Sequence, residues 1–291
     1  MARTEPSTKK KSPFLSLGTF ITIVITLVLR VFVVQGCTTP TGSMENTILG
    51  GETMLVNKFI YGAQSPKYIP FTDIGIPSFR LPAIRHPQRG DIVVFNWPGM
   101  RDEVIPHERT DYLKRCIGLP GDTIQIVNRA VYVNGELFPN PPGEKIESNQ
   151  ILPRSYSNPQ IFPEGSAYNE DNYGPIVVPK KGDRISVNAG TFTQWKIFIE
   201  REGHTCILQN GSVLVDGKME TEYVVTENYY FMMGDNRENS LDSRFWGFVP
   251  WKSIVGEPMI IYMSWNPDVP LYDVFAKIGS VRWDRIGVVL N

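Results

Sequence analysis

Apolar positions follow two regimes along the chain. From Phe14 to Val34 they run nearly unbroken, with Arg30 the one charge. At about 1.5 Å rise per residue, that run reaches roughly 30 Å, one hydrocarbon core, so a transmembrane helix is predicted over 14–34. Beyond Gly36 the regime changes. Short stretches rich in β-branched and aromatic residues alternate with Gly, Pro and Asn, and no long stretch keeps a 3.6-residue period. Strands are predicted at Asp91–Phe95, Thr123–Val127, Ala130–Val133, Trp195–Ile199 and Tyr229–Met233. Asn134-Gly135 and Asp216-Gly217 read as two-residue hairpin turns, because these residue types accept positive φ. The expected fold class is mainly β: an N-terminal transmembrane helix, then an all-β ectodomain with few, short helices.

Charge sets the direction of the apolar run. Arg3, Lys9, Lys10 and Lys11 precede it, and no acid or base follows it until Glu45. The positive-inside rule places residues 1–13 as a cytoplasmic tail and the rest outside. Arg30 lies near the outer end, where a long side chain reaches the headgroups. A buried core helix does not account for the flanking asymmetry. A cleaved signal is disfavoured because no small-x-small site follows the run. Val34-Gln35-Gly36-Cys37 only loosely resembles a lipid-attachment site, since Gln35 fits it poorly.

Two other segments stand apart. Residues 127–227 carry many Pro, Asn and Gly residues, for example Phe138-Pro139-Asn140-Pro141-Pro142, and read as a smaller β-domain inserted into a core made of 35–126 and 228–291. Ala63–Arg89 holds Pro66, Pro70, Pro77, Pro82 and Pro87, a density that excludes a helix interior or central strand. Two readings stand for it: an extended loop packed on the core, or an apolar surface dipping into a bilayer interface. The tail with Phe275, Ile278, Trp283 and Arg285 also suits an interface.

Composition narrows the chemistry. A formal net charge of −1 gives no reason to expect a nucleic-acid partner. Cys37, Cys116 and Cys206 are an odd set with no metal-ligand spacing, and His86, His107 and His204 form no zinc-type motif. No metal, no cofactor and no disulfide are expected, and nothing points beyond a monomer. With no His-Asp partnership evident, a serine nucleophile needs another base. On a strand, Lys114 shares a face with Tyr112 and Cys116, while Arg115 faces the other way and stays solvated. Burial against apolar neighbours lowers a lysine pKa far enough for it to act as a base. Ser43 lies nine residues past the apolar run and after Gly42, which lets the backbone approach a substrate closely; taken alone it reads as an ordinary loop serine, and a nucleophile there would face bonds close to the bilayer surface.

Three segments in this order carry a resemblance: Thr41-Gly42-Ser43-Met44; Asp111-Tyr112-Leu113-Lys114-Arg115 with Gly118-Leu119-Pro120-Gly121-Asp122; and Gly234-Asp235-Asn236-Arg237-Glu238-Asn239-Ser240-Leu241-Asp242-Ser243-Arg244. Together they resemble the signature segments of bacterial type I signal peptidase. The resemblance implies a membrane-bound serine endopeptidase of the bacterial cytoplasmic membrane. Its substrates would be exported preproteins, cut after small residues of Ala-x-Ala type through a Ser/Lys dyad and an acyl-enzyme. It implies Ser43 as nucleophile and Lys114 as general base, with the Thr41 hydroxyl and the Ser43 N–H holding the oxyanion. Ser240 would orient the lysine, Asp242 and Arg244 would pair beside the site, Gly234 and Asp235 would open the third segment, and Met44 would fill the core beneath. Thr39, Pro40, Tyr112 and Leu113 would line the substrate cleft. The resemblance weakens past Met44: relatives often have proline two residues on, where this chain has Asn46. Two other readings are a self-cleaving Ser-Lys repressor, for which no DNA-binding helices are evident, and a non-catalytic membrane-anchored β-domain binding export partners.

Overall fold

The computed structural model describes residues 17–66, 74–108 and 110–290. Its first element, α1 (Leu17–Phe32), covers the middle of the predicted span. Sixteen residues rise about 24 Å. Among the described residues no helix is long and apolar enough to cross a membrane. Residues 14–16 and the predicted tail lie outside the described residues. The far end of the predicted span is strand, because β1 (Val34–Thr38) begins there.

Strands β1, β2 (Glu52–Asn57), β3 (Ile92–Asn96), β4 (Asp111–Gly118), β14 (Tyr229–Met233), β15 (Val249–Pro250) and β16 (Ile254–Ser264) form one antiparallel sheet in the order β1-β2-β16-β3-β4-β14-β15. Three chain regions, far apart in sequence, thus interleave in a single layer. The layer curls. Gln35 on β1 donates from Nε2 to Asp111 Oδ2 on β4 at 2.8 Å, although three strands separate them in the sheet order. Along β2 burial alternates residue by residue, putting Met54 and Val56 inward with Met44, Ile48, Ile92, Val94 and Leu113. Each large aliphatic side chain so buried contributes about 1.5–3 kcal/mol. Glu52 points into the same interior. It is tolerated because Arg285 Nε, Ser264 Oγ and the Leu49 N–H all donate to it.

Between the second and third signature segments, β5 (Thr123–Val127), β6 (Ala130–Val133), β7 (Glu136–Leu137) and β8 (Tyr173–Val177) make a four-stranded sheet. A strand pair follows, β9 (Arg184–Ser186) with β13 (Glu222–Val224), and a meander of β10 (Cys206–Gln209), β11 (Ser212–Val215) and β12 (Lys218–Met219). Asn134-Gly135 and Asp216-Gly217 turn these hairpins with positive φ at all four residues. One buried cluster joins this region to the main sheet: Ile124, Ile126 and Val131 pack with Ile117, Phe231 and Phe248.

The expectation of a strand at Trp195–Ile199 is wrong. Those residues lie in α2 (Phe192–Arg201), a ten-residue helix. Phe192, Trp195, Phe198 and Ile199 recur at three- and four-residue spacing, and all four pack on that same cluster. Aromatic and β-branched content suggested strand; the spacing, visible only over the full ten residues, decides for helix.

The described part of the Ala63–Arg89 segment packs on the core through several side chains, Arg80 and Arg85 foremost, with Arg85 bonding to Asp91 and Glu257. Arg80 donates to the carbonyls of Tyr61, Trp251 and Ile254, and its guanidinium stacks 4.5 Å over Trp251. Ile74, Phe79 and Ile84 remain exposed, as do Phe275 on α4 (Val274–Gly279) and Trp283. Tyr68, Ile69, Pro70 and Phe71 lie outside the described residues.

Candidate active site

Ser43 sits in a tight turn between β1 and β2. Glu45 N–H bonds to Gly42 O at 3.0 Å, and Thr47 and Ile48 N–H both bond to Met44 O. Met44 and Ile48, fully buried, anchor the turn from below. Asn46 takes φ 74°, the left-handed region that proline, locked near −65°, cannot enter. This turn therefore differs from one built on the proline common in the resembling family.

Lys114 reaches the turn from β4. Its Nζ donates to Ser43 Oγ at 2.5 Å, and Thr41 Oγ1 lies 3.4 Å from the same oxygen. The side chain is 2% exposed. Burial lowers its pKa to about 8; Asp242 and Asp235 pull it up, and Arg244 adds to the lowering. The Tyr112 ring flanks the amine at 5.5 Å. Thr39, Pro40, Thr41 and Ser43 form one wall of a cleft, and Tyr112, Leu113 and Lys114 the other. Cys37 and Asp111, which sequence reasoning did not place in the cleft, line it too.

The third segment, between β14 and α3 (Ser243–Trp246), closes the site from behind. Asp242 caps α3 and pairs with Arg244 at 2.8 Å, both buried. Burial raises its carboxyl pKa, but the Arg244 guanidinium, the Gly234 N–H and Ser240 outweigh that and hold it below the usual carboxylate range. Gly234 has no room for a Cβ, which would collide with the Ser240 side chain and Ser43 O. Ser240 is buried there, and no hydrogen bond joins its Oγ to Lys114 Nζ, whose hydroxyl partner is Ser43.

Arg115 corrects the expectation of a solvated side chain. It is buried, and its Nε and Nη2 grip Asp235 at 2.8 and 2.7 Å. Alternation put it opposite Lys114 correctly. Solvation failed because the third segment covers that face, which strand period alone does not reveal. Asp235 also accepts from Thr47 Oγ1 at 2.5 Å, and its N–H meets Met44 Sδ at 3.4 Å.

Sequence reasoning assigned no role to Asn236, Glu45 or Lys145. Asn236 N–H donates to Ser43 O and its Nδ2 to Gly42 O, both at 3.1 Å. Its place in the third segment was the available signal. Lys145 carries no local signal at all. Among the described residues, no group of three or more His, Cys, Asp or Glu side chains is placed to hold a metal.

A hydroxyl within reach of a buried amine of lowered pKa, in an open cleft, is the equipment of a serine hydrolase. The family comparison makes that class definite. The family model described as signal peptidase, peptidase S26, matches residues 15–265. Signal peptidase I of Buchnera aphidicola subsp. Schizaphis graminum is 34% identical over 267 residues, 88% of this chain and 77% of the relative. Signal peptidase I of Rickettsia typhi is 32% identical over 300 residues, 98% of this chain and 97% of its own. A solved signal peptidase I from Enterococcus faecalis V583 shares 23% identity over 60% of this chain and 97% of its own, at TM-score 0.27. The chain is thus a serine peptidase. It belongs to the peptidase S26 family of signal peptidases, in its bacterial type I branch.

Proposed function

We propose that this chain removes N-terminal signal peptides from exported preproteins, cutting after small residues of Ala-x-Ala type through a Ser43/Lys114 dyad. The observation that carries the reading is the 2.5 Å contact between Lys114 Nζ and Ser43 Oγ within a buried site. Burial leaves a useful fraction of the amine neutral near pH 8.

The neutral Lys114 amine takes the Ser43 proton as Oγ attacks the scissile carbonyl. Ser43 N–H and Thr41 Oγ1 donate to the oxyanion. On collapse Lys114 passes the proton to the leaving amine, which departs as the new N-terminus of the mature protein. The signal peptide stays on Ser43 as an ester. Lys114, neutral again, takes a proton from water, whose oxygen attacks the ester; collapse returns the proton to Ser43 Oγ and frees the peptide. The substrate lies extended between the walls carrying Thr39, Pro40 and Thr41 and carrying Tyr112 and Leu113, adding as a strand would. Asp242 and Arg244 keep the third segment in place behind Lys114, with Ser240 and Gly234 packed between it and Ser43. A bilayer anchor near α1, with the N-terminus in the cytoplasm, raises the local concentration of membrane-held substrate. The exposed Ile74, Phe79 and Trp283 fit a surface that meets the bilayer interface.

The test is cleavage of a preprotein bearing an Ala-x-Ala site, in detergent, by the wild-type chain, Ser43→Ala and Lys114→Ala. Wild type is expected to cut at the site, and each folded variant to lose about 10⁴-fold or more. Activity retained by either variant refutes the dyad. A wild type that binds preproteins without cutting them supports the binding-module reading.

A further inference from the structure

The nucleophile turn is gripped from outside its own sheet. Residues 143–148, in the region between β7 and β8, run alongside the third segment as a strap. Lys145 N–H bonds to Asp235 O at 2.8 Å and Arg237 N–H to Lys145 O at 3.0 Å, a parallel bridge centred on Asn236. One ion pair and a pair of backbone hydrogen bonds brace it. Glu144 meets Arg237 at 3.0 Å with both side chains nearly buried, and Glu238 accepts from the Glu147 and Ser148 N–H groups. Gly143 packs so closely on Thr47 that a Cβ there would overlap its hydroxyl.

From this strap Lys145 Nζ reaches Glu45 Oε2 at 3.0 Å. That same oxygen accepts from Asn236 Nδ2 at 3.3 Å and lies close to Gly42. Glu45 is thus tied to the strap on one side and to the third segment on the other, two residues past Ser43. Its backbone precedes Asn46, whose left-handed φ costs on the order of 1 kcal/mol and leaves the turn without a rigid residue. A turn that lacks proline at this point gains its stiffness from side-chain ties.

We propose that Lys145 and Glu45 are positioning residues for the reaction: the strap holds the Gly42–Thr47 turn so that Ser43 Oγ, Ser43 N–H and Thr41 Oγ1 keep one geometry through attack. This rests on Ser43 being the nucleophile. Lys145 touches no reacting atom. Its effect falls on the turn, so kcat should respond and KM should not. A misplacement well under 1 Å is enough to matter in such a site.

The experiment measures kcat and KM of the full chain in detergent on a preprotein with an Ala-x-Ala site, for Lys145→Met, Lys145→Arg, Glu45→Ala and the double variant Lys145→Met/Glu45→Ala, beside Ser43→Ala. Lys145→Met is expected to lower kcat about tenfold, equivalent to about 1.4 kcal/mol, with KM within about twofold. Lys145→Arg should recover most of the loss, and the double variant should be no worse than the poorer single one. Wild-type kcat in Lys145→Met overturns the proposal. So does a rise in KM alone, a failure of arginine to rescue, or additive losses. With Ser43→Ala inert, any of these results removes the strap's role and leaves the peptidase reading intact. An active Ser43→Ala removes Ser43 as the nucleophile, and the strap's role falls with it.

Discussion

Two carboxylates stand near Lys114, yet its amine stays easy to deprotonate. Asp235 and Asp242 both favour the charged lysine, and either alone in a dry interior would hold a proton on it. Each is already paired. Arg115 grips Asp235 through two nitrogens, and Arg244 grips Asp242. Burial is the largest effect on Nζ, the Arg244 guanidinium adds to it, and the pKa falls to about 8. In the proposed mechanism the neutral amine is the working form, and its fraction grows as pH rises through that value. We expect kcat/KM to rise about tenfold per pH unit below about 8 and to level off above it. Initial rates on a preprotein across pH 6–10 check this, and a flat profile over that range would count against Lys114 as base.

At the scale of elements, the Ser43 turn and α2 show local chemistry and packing at odds. Asn46 holds a backbone conformation that suits asparagine or glycine and is closed to proline. Asn46→Pro, the residue common in the resembling family, is therefore expected to destabilise this chain by more than about 1 kcal/mol, read as a lower denaturation midpoint, whereas Asn46→Gly should stay close to wild type. A Pro variant as stable as wild type would mean that the turn readily adopts the other geometry. Helix α2 had the composition of a strand. Its four large apolar residues share one face, and burying that face against the cluster around Phe231 and Phe248 outweighs β-propensity.

For the whole molecule, cohesion comes from packing. Cys37, Cys116 and Cys206 are all free and buried, and burial raises each thiol pKa, that of Cys37 to about 12. Thiols so placed react slowly. The melting temperature should be the same with and without a reducing agent, and a drop on reduction would reveal a bridge absent from this structure. The curled main sheet sets the scale of the site: it brings the β1 side of the cleft opposite β4, as the Gln35–Asp111 contact shows.

The chain on its own determined what short-range rules govern. Four of the five predicted strands, both hairpin turns and the facing of Lys114 on β4 were legible, because strand period and turn stereochemistry are local properties, whereas Thr41, Ser43 and Lys114 as candidate chemistry came from the resemblance of three segments to a known family. Tertiary structure decided the rest. Arg115 is buried because a segment about 120 positions away covers it. Ser240 packs against Gly234 and Asp242 without bonding Lys114, a matter of where the third segment comes to rest. Lys145 joins the Ser43 turn through Glu45, 100 positions away, from a strap whose sequence carries no sign of it. Contacts of that range depend on how the sheet curls and what it covers, and these follow from the sum of burial over the whole chain.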